Sequence, residues 1–355
     1  MKTKLHIIVL SSLIGVLLIL YVIQYRQYSE FIVRQNHLLG EKIDTLKNVI
    51  SDLETRVFWA ERSNNVSQHR LPDQIVFCND TLDLRNAVIR EKVEREFYSL
   101  LSKQGQIQLY LKRSLRYLPM IESKLRESGL PEDLKYLAIH ESALLPKIRS
   151  RSNAVGLWQF MRSTGRLYRL KISRYVDERQ DPVKSTDAAI WMLKDLYRKF
   201  EDWPLVLASY NGGVNRVQRN IRQQKTSDFI ALSLPEETER YYFKIIATKL
   251  ILGDPVSYGF IIDEDDYFYT PKTRSVDFSI YANQMSLEEI ANIAGLDLPY
   301  FKHLNPQFIN AFLPRGSYTF YIPGDTYPLF VKNAETLAHL NFSVENEPKR
   351  DEPGE

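Results

Sequence analysis

Leu134-Lys135-Tyr136-Leu137-Ala138-Ile139-His140-Glu141-Ser142-Ala143-Leu144-Leu145-Pro146 is the stretch whose reading decides the fold. Pro131 suits a first helical position, and Glu132 and Asp133 suit the positive end of a helix dipole. Leu134, Leu137, Ala138 and Leu145 recur at helical spacing, and Glu141 stands three, four and seven residues from three of them. The spacing therefore predicts a carboxylate on the buried stripe of a helix that Pro146 ends. Such a carboxylate is paired, protonated or functional. Burial raises a carboxyl pKa, which is what a general acid near neutral pH needs. The plain alternative is a buried ion pair with an Arg or Lys.

Working outward, the stretch Ser150-Arg151-Ser152-Asn153-Ala154-Val155-Gly156 is rich in small polar residues and leads into Leu157-Trp158-Gln159-Phe160-Met161. Glycine permits close backbone approach there, and Gln159 offers both a donor and an acceptor. Further on, Trp203-Pro204 opens a short apolar helix that ends in Ala208-Ser209-Tyr210-Asn211-Gly212-Gly213. A glycine pair after a helix is ordinarily a C-cap. Trp158 reads as packing and Ser142 as a backbone hydrogen-bonder.

In this order the three blocks resemble the family 1 lytic transglycosylases, and within them the membrane-bound lytic murein transglycosylase D-like subgroup. Asp181-Pro182 followed by Ser185-Thr186-Asp187-Ala188-Ala189, and Glu237-Thr238 leading into Arg240-Tyr241-Tyr242, extend the resemblance over about residues 72–260. The resemblance implies a mainly α, goose-type lysozyme-like catalytic domain. It makes Glu141 the catalytic acid and base and Ser150 a substrate contact beside it. Gln159, Met161, Tyr210 and Asn211 line the sugar groove, with Glu237 associated with the groove and peptide stem. His140 departs from the small or apolar residue usual before the glutamate and reads as surface or structural. The implied reaction cleaves the MurNAc–GlcNAc β-1,4 bond of peptidoglycan and closes a 1,6-anhydro ring, with no cofactor and no metal. Most glycosidases use two carboxylates. A second acid such as Asp181 or Glu237 would make a lysozyme-type hydrolase, so that alternative stays open, as does a non-enzymatic wall-binding scaffold.

Residues 275–330 read as a smaller unit. Ser286 suits the N-cap of a helix over 285–295; a second helix follows at 298–305, then Leu304-Asn305-Pro306 and a strand closing in Tyr321-Ile322-Pro323. This order resembles a LysM module, a small α+β glycan-binding fold, with a divergent opening at Asn283-Gln284-Met285-Ser286. The alternative is a packing domain that braces the catalytic groove. Between the two units, residues 258–274 read as a connector with short strands at 260–262 and 267–269.

Toward the start, residues 5–25 carry no Asp, Glu, Lys or Arg, the length of about 20 apolar residues that spans a bilayer. With Lys2 and Lys4 before it, residues 1–26 read as an uncleaved transmembrane signal anchor with a cytoplasmic N-terminus. No cysteine follows that run closely, so no lipoprotein signal is visible. Leu39, Ile43, Leu46, Ile50, Leu53 and Val57 form a coiled-coil seam within a stalk at 27–62, which implies self-association. A linker at 63–72, a catalytic domain at 73–257 and a tail at 331–355, disordered at its end, complete the organisation. Together these place the body in the periplasm, held to the inner membrane, with peptidoglycan strands as partner.

Composition bounds the rest. The 355 residues are 44% hydrophobic and 26% charged, which supports a packed core. With 47 Lys+Arg against 44 Asp+Glu the net charge is +3, without the basic excess of a nucleic-acid binder. A single cysteine, Cys78, excludes an intrachain disulfide framework.

Overall fold

The structure, a computed structural model, describes residues 2–63, 69–269, 272–336 and 342–345. It divides into two compact units, residues 1–65 and residues 66–355. The first is one helix, α1 (Lys2–Ser63). The seam residues Leu39, Ile43, Leu46, Ile50, Leu53 and Val57 are all exposed along it. The predicted membrane anchor rests mostly on side chains at 2–14 and 16–20, which lie outside the described residues. Among the described residues no helix is long and apolar enough to cross a membrane. Half of the predicted linker, at 64–68, and most of the predicted tail also lie outside them.

The second unit is mainly helical and has two hydrophobic cores. It opens with a hairpin, β1 (Gln74–Phe77) and β2 (Asp80–Asp83), which the sequence reading did not anticipate. Then come α2 (Ala87–Leu101), α3 (Gln104–Glu127), α4 (Lys135–Ser142), α5 (Arg162–Leu167), α6 (Pro182–Phe200), α7 (Trp203–Gly212), α8 (Val214–Gln224) and α9 (Glu236–Gly253). Helix α9 sits at the centre. Its Phe243, Ile245, Ile246 and Ala247 are fully buried, and it packs on α2, α4 and α7. A helix covered on nearly all sides takes its stability from packing rather than from propensity. Helices α6 and α7 start where the sequence provides an aspartate before proline. Asp181 accepts from the amides of Val183 and Lys184, and Asp202 from that of Leu205.

Around residues 131–146 the structure corrects two expectations. Residues Glu132–Leu134 form a 3-10 turn, with Pro131 capping it, before α4 begins. The helix then ends at Ser142, not at Pro146, because Ala143 and Leu144 take left-handed φ values of 52° and 57°. Two apolar residues held in that region mark a chain forced to turn by its surroundings. The carbonyl of Ala143 is held there by Arg113 Nη1 at 3.0 Å.

The C-terminal core is built on an antiparallel sheet of order β4-β3-β5. Strand β3 (Thr273–Ser286) pairs with β4 (Phe312–Pro323) from Thr273↔Pro323 to Ser286↔Phe312, with a register shift between Ile280 and Gln284. Helices α10 (Leu287–Ile293) and α11 (Leu298–Leu304) join them, followed by α12 (Tyr327–Thr336) and β5 (Phe342–Glu345). Ser286 is the predicted N-cap, in a capping box with Glu289. The expected connector strands at 260–262 and 267–269 are absent. Short 3-10 turns, Val256–Tyr258 and Glu264–Asp266, stand in that segment, and the Phe268 amide bonds outward to the Lys112 carbonyl at 2.7 Å instead of to a strand partner.

Candidate active site

Glu141 lies one residue from the C-terminal end of α4 and is half-buried against α9. The hydroxyl of Tyr241, on α9, donates to its Oε1. Burial pushes the Glu141 carboxyl up to about 7, and the nearby Glu237 charge adds to that; the Tyr241 hydrogen bond and Lys244 pull the other way. A carboxyl with that value is partly protonated at neutral pH, so it can give a proton and then take one. No Arg or Lys forms an ion pair with it among the described residues, so the buried-ion-pair alternative does not hold.

The end of α7 also meets α9. At the end of α7, Asn211 Oδ1 accepts from Thr238 Oγ1 at 3.2 Å, and Thr238 stands three residues before Tyr241 on the same helix. Gly212 permits that approach: a Cβ there would lie 2.7 Å from Thr238 Oγ1. The adjacent Tyr210 donates its hydroxyl to the Trp158 carbonyl at 2.7 Å. Burial raises its phenol pKa and the Glu141 charge adds to it, so it stays protonated. Glu237 is exposed at the start of α9, close enough to act on Glu141 through its charge.

The loop 148–160 is folded on itself by antiparallel bridges Arg149↔Val155 and Val155↔Phe160. Ser150 Oγ accepts from the Ala154 amide at 3.0 Å, and Gln159 Nε2 donates to the Gly156 carbonyl at 2.9 Å. Gln159 itself has φ 48°, a left-handed value that ties its position to the loop. Trp158 is fully buried and donates from Nε1 to Thr186 Oγ1 at 3.0 Å, so its role is packing. Ser142 Oγ bonds the Ala138 carbonyl at 2.8 Å, as its backbone reading expects. Met161 precedes α5 with 43% of its surface exposed, so it is available to a ligand and is not a core residue. Among the described residues no hydrogen bond joins Ser150, Gln159 or Met161 to Glu141; Ser150 and Gln159 stand on the wall formed by the loop 148–160.

That wall is held by a residue the sequence reading missed. Arg179 is 2% exposed, forks onto Asp177 at 2.9 and 2.7 Å, and donates from Nη1 to the carbonyls of Asn153 and Phe160, both at 3.1 Å. Its own carbonyl sits where a Cβ on Gly156 would stand, 1.7 Å away. Gly156 also has φ 92°, so glycine alone fits. Gly156→Ala is expected to cost roughly 3 kcal/mol or more, read as a lowered denaturant midpoint, because backbone rather than a mobile side chain blocks the space.

Tyr241 was also missed as a site residue, although its block was noted. Its signal was the spacing Glu237-x-x-x-Tyr241, which puts both on one helical face. His140 is not a plain surface residue: its ring lies edge-on to Tyr241 at 5.2 Å, and burial depresses it to about 4, so it is neutral. Asp181 is no second acid for the site. Its carboxylate caps α6 and accepts from Tyr321 in the C-terminal module, and burial, opposed by those donors, raises it to about 6. Among the described residues no His, Cys, Asp and Glu group could hold a metal ion.

Residues 119–233 match the transglycosylase SLT domain, and residues 280–339 match the LysM-like domain of lytic transglycosylase MltD. The chain is 34% identical over 198 residues to membrane-bound lytic murein transglycosylase D of Escherichia coli K12, covering 54% of this chain and 43% of that protein. It therefore spans less than half the length of that relative. Among solved structures, the 70 kDa soluble lytic transglycosylase SLT70 of Escherichia coli is similar at a TM-score of 0.35 and 22% identity, over 50% of this chain and 32% of that one. The lytic transglycosylase Slt of Pseudomonas aeruginosa follows at 0.33 and 19%, over 42% and 26%. The likeness rests on the sequence matches: residues 119–233 are similar to the transglycosylase SLT domain, and residues 280–339 to an MltD-type LysM-like domain.

Proposed function

We propose that this protein is a peptidoglycan lytic transglycosylase of lysozyme-like catalytic fold, and the observation that carries the reading is the environment of Glu141. One carboxyl, half-buried, near neutral in pKa and free of an ion pair among the described residues, has a phenol hydrogen bond to orient it. Protonated Glu141 gives its proton to the oxygen joining MurNAc to GlcNAc, and the C1–O bond breaks. The substrate's own N-acetyl group stabilises the cationic centre at C1. The carboxylate left on Glu141 then takes the proton of the MurNAc C6 hydroxyl, and O6 bonds C1 to give the 1,6-anhydro ring. The proton returns to Glu141, and no water is consumed. Ser150, Gln159, Met161, Tyr210 and Asn211 form the sugar-binding walls, with Glu237 beside the acid. Product mass spectrometry of digested sacculi tests this directly. Chains ending in anhydroMurNAc are expected; reducing MurNAc ends would make the enzyme a hydrolase, and no cleavage at all would leave a scaffold.

The Tyr241 hydroxyl favours the charged form of Glu141. Tyr241→Phe is therefore expected to raise the acid's pKa and to move the alkaline limb of the pH–rate profile upward by about one unit. An unchanged profile would show that this hydrogen bond does not set the acid.

In this reading the catalytic domain is residues 73–257; the C-terminal sheet begins at Thr273, inside the expected connector 258–274, and its core runs past residue 330 to Ala334, into the expected tail. In this reading residues 1–26 hold the protein to the inner membrane, with the rest in the periplasm. The exposed seam of α1 supports pairing of stalks between copies. Cross-linking in membranes is expected to trap oligomers through residues 39–57, and monomers alone would remove that part.

A further inference from the structure

The C-terminal module grips one short segment of the catalytic unit at both ends. At the first end, Val176 forms an antiparallel bridge with Phe308; the Asp177 amide donates to the Gln307 carbonyl at 2.9 Å, and the Ile309 amide to the Tyr175 carbonyl at 3.0 Å. At the other end, the Tyr321 hydroxyl reaches both carboxylate oxygens of Asp181 at 3.1 Å, in a site where Asp181 is fully buried. Tyr321 is itself fixed. Asn305, also fully buried, donates from Nδ2 to its carbonyl at 2.8 Å and accepts from its amide at 2.7 Å. Val176 belongs to the C-terminal core rather than to the catalytic one.

Between the two grips lies Arg179, whose side chain and carbonyl both meet the loop 150–160. We propose that the C-terminal module is a fixed part of the catalytic groove: by clamping residues 176–181 through Gln307 and Tyr321, it positions Arg179 and thereby the wall that carries Ser150 and Gln159. Tyr321 is a positioning residue. The module's contribution is then to turnover, by keeping the wall in one geometry. Glycan capture by the module is not required for it. Buried, charge-assisted hydrogen bonds suit this role, because they hold direction as well as distance. The kinetic part rests on the transglycosylase reading; the structural part does not.

The experiment uses the full chain carrying Tyr321→Phe, which keeps the ring and removes only the hydroxyl. Hydrogen exchange reports the clamp independently of activity: amides at 150–160 are expected to exchange about tenfold faster, while the α2 and α9 cores stay unchanged. On soluble glycan strands, kcat is expected to fall about three- to tenfold with KM within about twofold, the split of a site held less well rather than a ligand bound less well. Wild-type exchange at 150–160 overturns the clamp. Faster exchange with wild-type kcat overturns its bearing on catalysis, as does a loss confined to KM. Should the variant be too unstable to purify, Asp181→Asn keeps the α6 cap, alters the same contact, and carries the same expectations. If the wild-type chain cleaves nothing, the function fails while the exchange result still decides the clamp.

Discussion

Glu141→Gln is expected to lower release of anhydroMurNAc products about a thousandfold or more, because one side chain supplies both the acid and the base and such catalysis contributes about 10²–10⁴ for each role. The amide neither gives the proton to the glycosidic oxygen nor takes one from the C6 hydroxyl. Binding to the groove is expected to remain. Stability moves the other way. The carboxyl's pKa is raised to about 7 in the folded protein, against 4.5 for an ordinary glutamate. The folded state therefore holds the proton more tightly, and stability falls as pH rises through that window. At pH 8 the wild type carries the full cost of an ionised, half-buried carboxylate. Gln does not, so the variant is expected to be more stable there by about 1–2 kcal/mol, discounted for the open groove. Below about pH 4.5 the difference should vanish. Denaturant titrations at pH 4 and pH 8 measure it. A variant equally active, or equally destabilised at both pH values, would remove Glu141 from the site.

Arg179→Met is expected to destabilise the full chain by about 3–5 kcal/mol, since it leaves a buried carboxylate without its partner. Asp177 and Arg179 are each 2% exposed, so solvent does not take over the lost charge. The carbonyls of Asn153 and Phe160 lose their donor at the same time. The wall carrying Gln159 is then released, and activity is expected to fall further than stability alone explains, measured below the unfolding midpoint. Adding Asp177→Leu should restore part of the stability, because no unpaired charge remains, yet should not restore activity, because the loop still lacks its clamp. Recovery of both together would show that Arg179 serves the fold alone.

Much of the C-terminal module was legible because its signals are local. Ser286 before Leu287 and Asp297 before Leu298 cap helices wherever they fold. The long strand β3 was missed although Val276, Phe278 and Ile280 alternate inward; of its residues only Thr273 and Arg274 fell in the expected connector. Likewise the end of α4 was misplaced. Pro146 is a visible stop, whereas the actual stop is a left-handed turn at Ala143 and Leu144 whose carbonyl is held by Arg113, 30 residues earlier in the chain. In the site, Glu141 was legible as an anomaly, a charge on an apolar stripe. Tyr241, Arg179 and His140 were not, because each matters through what it touches. His140 in particular was placed away from the acid by helix geometry alone. That geometry is right about direction, but it leaves out α9, which brings Tyr241 edge-on to the imidazole.

The sequence by itself determined the order of the blocks, the anomalous carboxyl on an apolar stripe and the capped helices. These depend on periodicity and on residues within one or two helical turns, where the chain is its own environment. Only the tertiary structure decided what shifts the pKa of Glu141, what holds the loop 148–160, and which residues of the C-terminal module meet residues 176–181. Desolvation and buried hydrogen bonds are properties of packing between segments distant in sequence. Asp181 meets Tyr321 across 140 positions, and Glu141 meets Tyr241 across 100, so no local pattern records either contact.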